Sequence, residues 1–153
     1  MRAEQRLAEL GIALPAAGAP SHSYVKTRQA GGLLYVAGHS PKWDGAYPAL
    51  GKLGAEVTLE QGRACARNCA LNCLASARQA LGSLDRVAGV VHVNAYVAST
   101  PAFTDQPSVV NAASDLLIEI FGEAGQHSRT SVGVAVLPGD IPVEIEMILE
   151  LRP

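Results

Sequence analysis

The chain has 153 residues, 48% of them hydrophobic, and a formal net charge of −2. That composition suits one domain with a real core and excludes both a disordered chain and two comfortable domains. No Lys/Arg run marks a nucleic-acid surface, no apolar stretch reaches membrane-span length, and the start (Met1-Arg2-Ala3-Glu4-Gln5) lacks a signal-peptide core, so the expected location is the cytoplasm.

Arg2 to Leu10 reads as a short amphipathic helix stopped by Gly11, followed by a Pro/Gly/Ala connector from Leu14 to Pro20. Tyr24 to Gln29 alternates weakly and reads as a strand. Gly32 to Ala37 is apolar, β-prone and bounded by glycines, which predicts a buried strand. Thr58-Leu59-Glu60-Gln61 is a capping box and Gly82 a natural stop, so a long helix is expected from Leu59 to about Leu81. Gly62 inside it costs helix stability and points to close packing. Cys65, Cys69 and Cys73 lie on one stripe of this helix. Their spacing misses the tight pairs of zinc sites and reads as small buried apolar packing.

Val87 to Ser99 reads as a strand with Val91, Val93, Ala95 and Val97 on one face and His92, Asn94 and Tyr96 on the other. Ser108 to Phe121 is a second helix between Pro107 and Gly122. Ser128 to Leu151 carries two alternating strands that look locally like a hairpin. The sum, β-β-α-β-α-β-β, predicts an α+β domain with two helices on one face of a sheet. The opposite face is expected to present Ser131, Gly133, Ala135 and Leu137, with Glu144, Glu146, Ile148 and Glu150, and His92, Asn94 and Tyr96. Such a polar face suits water or a subunit interface.

Several residues are candidates for chemistry. Arg129 opens a strand beside small side chains, where a guanidinium fork holds either a small organic acid or a structural partner. Glu144 and Glu146 leave one face, and neighbouring carboxylates divide into acid and base when their pKa values separate; with Glu150 beside them, Glu146 and Glu150 read as a hydrophilic strand face, and the reading of Glu144 depends on whether Arg129 is close. Tyr24, after a Ser-His-Ser segment, reads equally as a pocket cap or a packing aromatic. Asn111, in the first turn of its helix, reads as a cap or a ligand contact. The four histidines have no metal-ligand spacing, and no nucleophile motif is present.

Three segments carry a resemblance: L-L-Y-V-A-G-H-S-P at 33–41, V-N-A-A-S-D-L-L at 110–117 and S-R-T-S-V-G-V-A-V-L-P-G-D-I-P-V-E-I-E at 128–146. They resemble the Rid family, the YjgF-type proteins also labelled endoribonuclease L-PSP or translation inhibitor, in a divergent branch. The likeness runs from about Tyr24 to Leu151, with residues 1–20 as an N-terminal extension of one domain spanning 1–153. It implies a chorismate mutase-like mixed sheet with two helices on one face and a final strand placed away from its chain neighbour. It also implies a homotrimer around a central barrel, with a pocket at each subunit interface.

By the same resemblance, Arg129 grips a substrate carboxylate, Glu144 orients the attacking water, and Tyr24 and Asn111 line the pocket. Ser131, where well-known members carry Cys, offers backbone groups, and His39 stands where many members have Gln. The implied reaction is hydrolytic deamination of enamine/imine acids such as 2-aminoacrylate to 2-keto acids and ammonia, without metal or organic cofactor. A non-catalytic carboxylate-binding protein is the alternative. Ribonuclease action fits poorly with an acidic chain that lacks a basic stripe.

Overall fold

The computed structural model describes residues 2–20 and 22–153; Met1, which opens the segment read for a signal peptide, and Ser21, the first residue of the Ser-His-Ser loop, lie outside the described residues. The elements in chain order are α1 (Ala3–Glu9), β1 (Thr27–Ala30), β2 (Leu33–His39), α2 (Leu59–Leu81), β3 (Val87–Ala98), α3 (Gln106–Phe121), β4 (Ser128–Val134) and β5 (Val143–Leu151).

The long helix forms where its caps place it. Gln61 N donates to Thr58 Oγ1 at 3.1 Å and Thr58 N donates to Gln61 Oε1 at 3.0 Å, so two otherwise orphaned N–H groups are satisfied. At the far end Gly82 takes φ 80°, the left-handed conformation that closes a helix at no steric cost to glycine. The face of α2 against the sheet is built from small residues: Cys65, Ala66, Cys69, Ala70, Cys73 and Ala77 are all fully buried. A Cβ on Gly62 would stand 2.9 Å from Leu53 Cδ1 and 3.3 Å from Val109 Cγ1, which is the close packing expected of that glycine. Burial pushes the Cys65 thiol up to about 11 and raises those of Cys69 and Cys73 as well. Cys69 and Cys73 donate to the carbonyls of Val143 and Ile145, so the cysteine stripe acts as packing.

The five strands form one mixed sheet in the order β1-β2-β5-β3-β4. The hairpin suggested by the local pattern does not form. β5 runs between β2 and β3, antiparallel to both, and β4 pairs in parallel with the outer side of β3. The chain between β4 and β5 must therefore pass over β3. Leu137-Pro138-Gly139-Asp140-Ile141-Pro142 makes this crossing, with Gly139 at φ 66° and Asp140 at φ 59° turning the chain. This is the strand placement that the resemblance implied.

One sheet face packs under α2 and α3. Val93, Ala95, Val97, Ile145, Met147 and Leu149 are buried there with Leu74, Leu116 and Leu117 of the helices. Val91, expected on that face, is 40% exposed, because a register shift between Val90 and His92 puts Val90 inward instead. The N-terminal extension is part of the packed body. Leu7 is buried, and Glu4 receives both Arg78 Nε and Nη2, the closer at 2.5 Å. Among the described residues no helix is long and apolar enough to cross a membrane.

Candidate functional site

Arg129 sits on the edge strand β4. Parallel pairing sets Arg129 beside Val93, Ser131 beside Ala95 and Gly133 beside Val97, and these β3 partners all point under the helices. Arg129, Ser131 and Gly133 therefore face α3. This corrects the expectation that Ser131 and Gly133 belong to the open face. The reason is steric. A Cβ on Gly133 would lie 2.7 Å from Gln106 Nε2, so α3 crosses the edge strand too closely for large side chains, and the valines of β4 turn outward.

On α3, Asn111 and Ser114 lie three residues apart and share a helix face. Arg129 Nη1 donates to Asn111 Oδ1 at 2.8 Å and to Ser114 Oγ at 3.1 Å. Both bonds come from one nitrogen. Nε and Nη2 make no hydrogen bond among the described residues, and neither ion pair seen there, Arg6–Glu9 or Arg78–Glu4, involves Arg129. The guanidinium is held by neutral oxygens with an open edge. Nearby, Ser131 Oγ is buried without a partner among the described residues.

Ser114 and its neighbour His127 were not singled out as site residues from sequence. His127 Nδ1 lies 2.6 Å from Gly125 O, and Ser114 Oγ lies 2.9 Å from His127 Nε2. The signal was present: Ser114 is one helical step from Asn111, and His127 is one strand period before Arg129.

Glu144 occupies the central strand β5 and points to the open face, where Tyr96 is its cross-strand partner. Burial first, and then the neighbouring Glu146 charge, raise its carboxyl above the ordinary value. No hydrogen bond satisfies it among the described residues. Gly38 of β2 makes room for it, since a Cβ there would stand 3.0 Å from Glu144 Cδ and Oε1. Glu146 behaves differently. It accepts from Tyr96 Oη at 2.8 Å and from Asn94 Nδ2 at 3.1 Å, and His92 Nε2 extends the chain to Asn94 Oδ1 at 3.0 Å. His92, Asn94 and Glu146 border a hollow of about 360 Å³ that is also lined by Arg28, Tyr35 and Ile148.

Tyr24 precedes β1 and is 45% exposed. Its edge of the sheet lies four strand spacings from β4, about 19 Å at the usual interstrand distance. His39 is 6% exposed and turned into the core, with Nδ1 2.5 Å from Ala37 O and Nε2 2.7 Å from Ser76 Oγ. Burial lowers its pKa, so the ring is held neutral.

The six residues marked from sequence thus fall into four places. Arg129, Asn111 and Ser131 converge at the β4 edge under α3. Glu144 stands on the other face of the sheet, and Tyr24 at the far edge. His39 lies inside. Within one chain these residues do not share one pocket.

Comparison with known proteins gives a consistent picture. The model of the YjgF/chorismate mutase-like family, which carries an endoribonuclease label, matches residues 4–151. Protein TCP17 of Trypanosoma cruzi is 46% identical over 152 residues, covering 99% of this chain and 95% of that protein. The crystal structure of Atu1372 from Agrobacterium tumefaciens, whose function is unknown, is 40% identical and superposes with a TM-score of 0.90 over 98% of this chain and 92% of that one. A structure from Shewanella oneidensis with an endoribonuclease label is 32% identical, with a TM-score of 0.94 over 99% of this chain and 100% of that one.

Proposed function

We propose, from the premise that the chain belongs to the YjgF/chorismate mutase-like family, that it hydrolyses small enamine/imine acids to 2-keto acids and ammonia. The observation that carries this reading is the posture of Arg129. Asn111 and Ser114 tether its guanidinium through Nη1, and among the described residues no carboxylate forms an ion pair with it. The unbonded Nε and Nη2 form the planar edge that receives a carboxylate through two parallel hydrogen bonds.

The rest of the reaction asks little of the protein. An imine carbon is electrophilic already, so the site has to fix the substrate and place water against that carbon. Water adds to C=N, the resulting amino alcohol loses ammonia, and the keto acid remains. Glu144, half-buried and without a hydrogen-bond partner among the described residues, takes the water proton and returns it to the departing nitrogen. Since Arg129 and Glu144 leave opposite faces of one sheet, the working pocket is composite. One protomer supplies Arg129, Asn111 and Ser131, and its neighbour supplies Glu144 and Tyr24. A homotrimer with interfacial pockets provides this arrangement. A non-catalytic carboxylate sensor would use the same clamp and would dispense with Glu144.

The test is the release of ammonia and keto acid from 2-aminoacrylate generated in situ by a serine-consuming lyase. The protein should accelerate release, and Arg129→Ala should abolish the acceleration. If the wild type leaves the rate unchanged while a 2-keto acid raises its melting temperature, the sensor reading replaces the enzyme. RNA cleavage that survives Arg129→Ala would displace both.

A further inference from the structure

The hydrogen bonds behind Arg129 form a directed chain. A carbonyl only accepts, so His127 Nδ1 must donate to Gly125 O at 2.6 Å. In the neutral ring Nε2 then carries a lone pair, and Ser114 Oγ donates to it at 2.9 Å. That leaves the Ser114 oxygen free to accept from Arg129 Nη1 at 3.1 Å. Every bond runs the same way, from guanidinium to hydroxyl to imidazole to carbonyl, so each polarises the next.

The far end of the chain is fixed in place. Gly125 is buried, and a Cβ there would stand 2.8 Å from Ile118 Cα, so its turn packs directly on α3 and its carbonyl has a set position.

We infer that His127 is a positioning residue: acting through Ser114 as an Nδ1–H tautomer, it sets the orientation in which Arg129 presents Nε and Nη2 to a carboxylate. This rests on the carboxylate-clamp reading of Arg129 given above and adds the element that aims the clamp. Without an acceptor at the Nε2 position, the Ser114 hydroxyl turns elsewhere and Arg129 retains only Asn111.

The experiment uses the full chain and 2-oxobutanoate as the probe, with affinity read by calorimetry. His127→Phe keeps the ring volume and removes the acceptor, and should weaken binding about five- to tenfold, the scale of one ordinary intramolecular hydrogen bond. His127→Gln places an oxygen near the Nε2 position and should recover most of the loss. Ser114→Ala should match His127→Phe, and the double variant should be no weaker than either alone, because both break one chain. Nitrogen NMR of the wild type should show the proton on Nδ1, with slowed Arg129 Nη exchange that His127→Phe abolishes.

Undiminished binding by His127→Phe, additive losses in the double variant, or a proton on Nε2 would each overturn the inference. If the wild type binds no 2-oxobutanoate, the clamp reading fails by itself. The Arg129 Nη signals of the same variants then decide whether His127 holds the guanidinium.

Discussion

Arg129 and Glu144 project from opposite faces of one sheet. Arg129 aligns across β3 with Val93, which is buried beneath the helices, whereas Glu144 aligns with Tyr96 on the uncovered side. No side-chain rotation brings two such groups to the same small molecule, so a pocket that uses both takes them from different protomers. Mixing separately inactive Arg129→Ala and Glu144→Gln chains, unfolded and refolded together at equal amounts, should therefore restore activity. In a closed ring with one shared site per interface, about one site in four would combine an intact arginine with an intact glutamate. Recovery near that fraction is the expected outcome, read as keto-acid release. Zero recovery would mean that the two residues do not serve one composite site.

Replacing the guanidinium by an ammonium separates charge from shape. Arg129→Lys keeps the positive charge but lacks the fork, and its shorter head cannot reach Asn111 and Ser114 while also presenting two donors. Carboxylate affinity should fall at least about tenfold, since one charge-assisted bond of the bidentate pair is lost. Calorimetry with a 2-keto acid measures this. A lysine variant that binds as tightly as the wild type would show that the site senses charge alone.

Local signals in the chain specify elements better than they specify partners. Thr58, Gln61 and Gly82 fix both ends of α2 through hydrogen bonds and a dihedral preference that reside in a few consecutive residues. The insertion of β5 between β2 and β3 depends on pairings more than a hundred residues apart at Leu33 and Glu150, and no periodicity records it. The family resemblance supplied that placement. The face that β4 presents to the helices is also set at long range. Val132 and Val134 look like inward residues, yet α3 crosses so close at Gly133 that a Cβ there would stand 2.7 Å from Gln106 Nε2, and the valines face the other way. The environment of His39 is likewise decided at long range, by Ser76, thirty-seven residues away on α2.

The buried His39 predicts an acid-sensitive fold. Its pKa is lowered chiefly by burial, so its stabilising neutral state is fully available above the ordinary value of 6.5 and is lost as pH falls below it. Lys26 adds to the same direction by repelling a charged ring. The melting temperature should therefore decline as pH falls below about 6.5. His39→Gln, which offers both a donor and an acceptor without titrating there, should flatten that part of the profile. An unchanged slope in the variant would assign the acid sensitivity to other groups.

Glu144 should reveal itself through a conflict between stability and turnover. Its carboxyl is raised by burial and then by Glu146, so the charged form is the less stable one in the fold. A raised acid contributes most below its unfolded value, near 4.5, and its contribution is lost as pH climbs through the folded value. Glu144→Gln should consequently melt higher than the wild type at pH 7, by about 1–2 °C once solvent screening of a half-exposed group is allowed for, and show no advantage near pH 4. The same variant should lose turnover while still binding a 2-keto acid, because the Arg129 clamp lies elsewhere. The acidic limb of the wild-type rate profile should rise with pH through a value above the usual glutamate range. Glu146→Gln should move that limb to lower pH by removing the second cause of the shift. An acidic limb that stays in place in Glu146→Gln would mean that another group governs the rate.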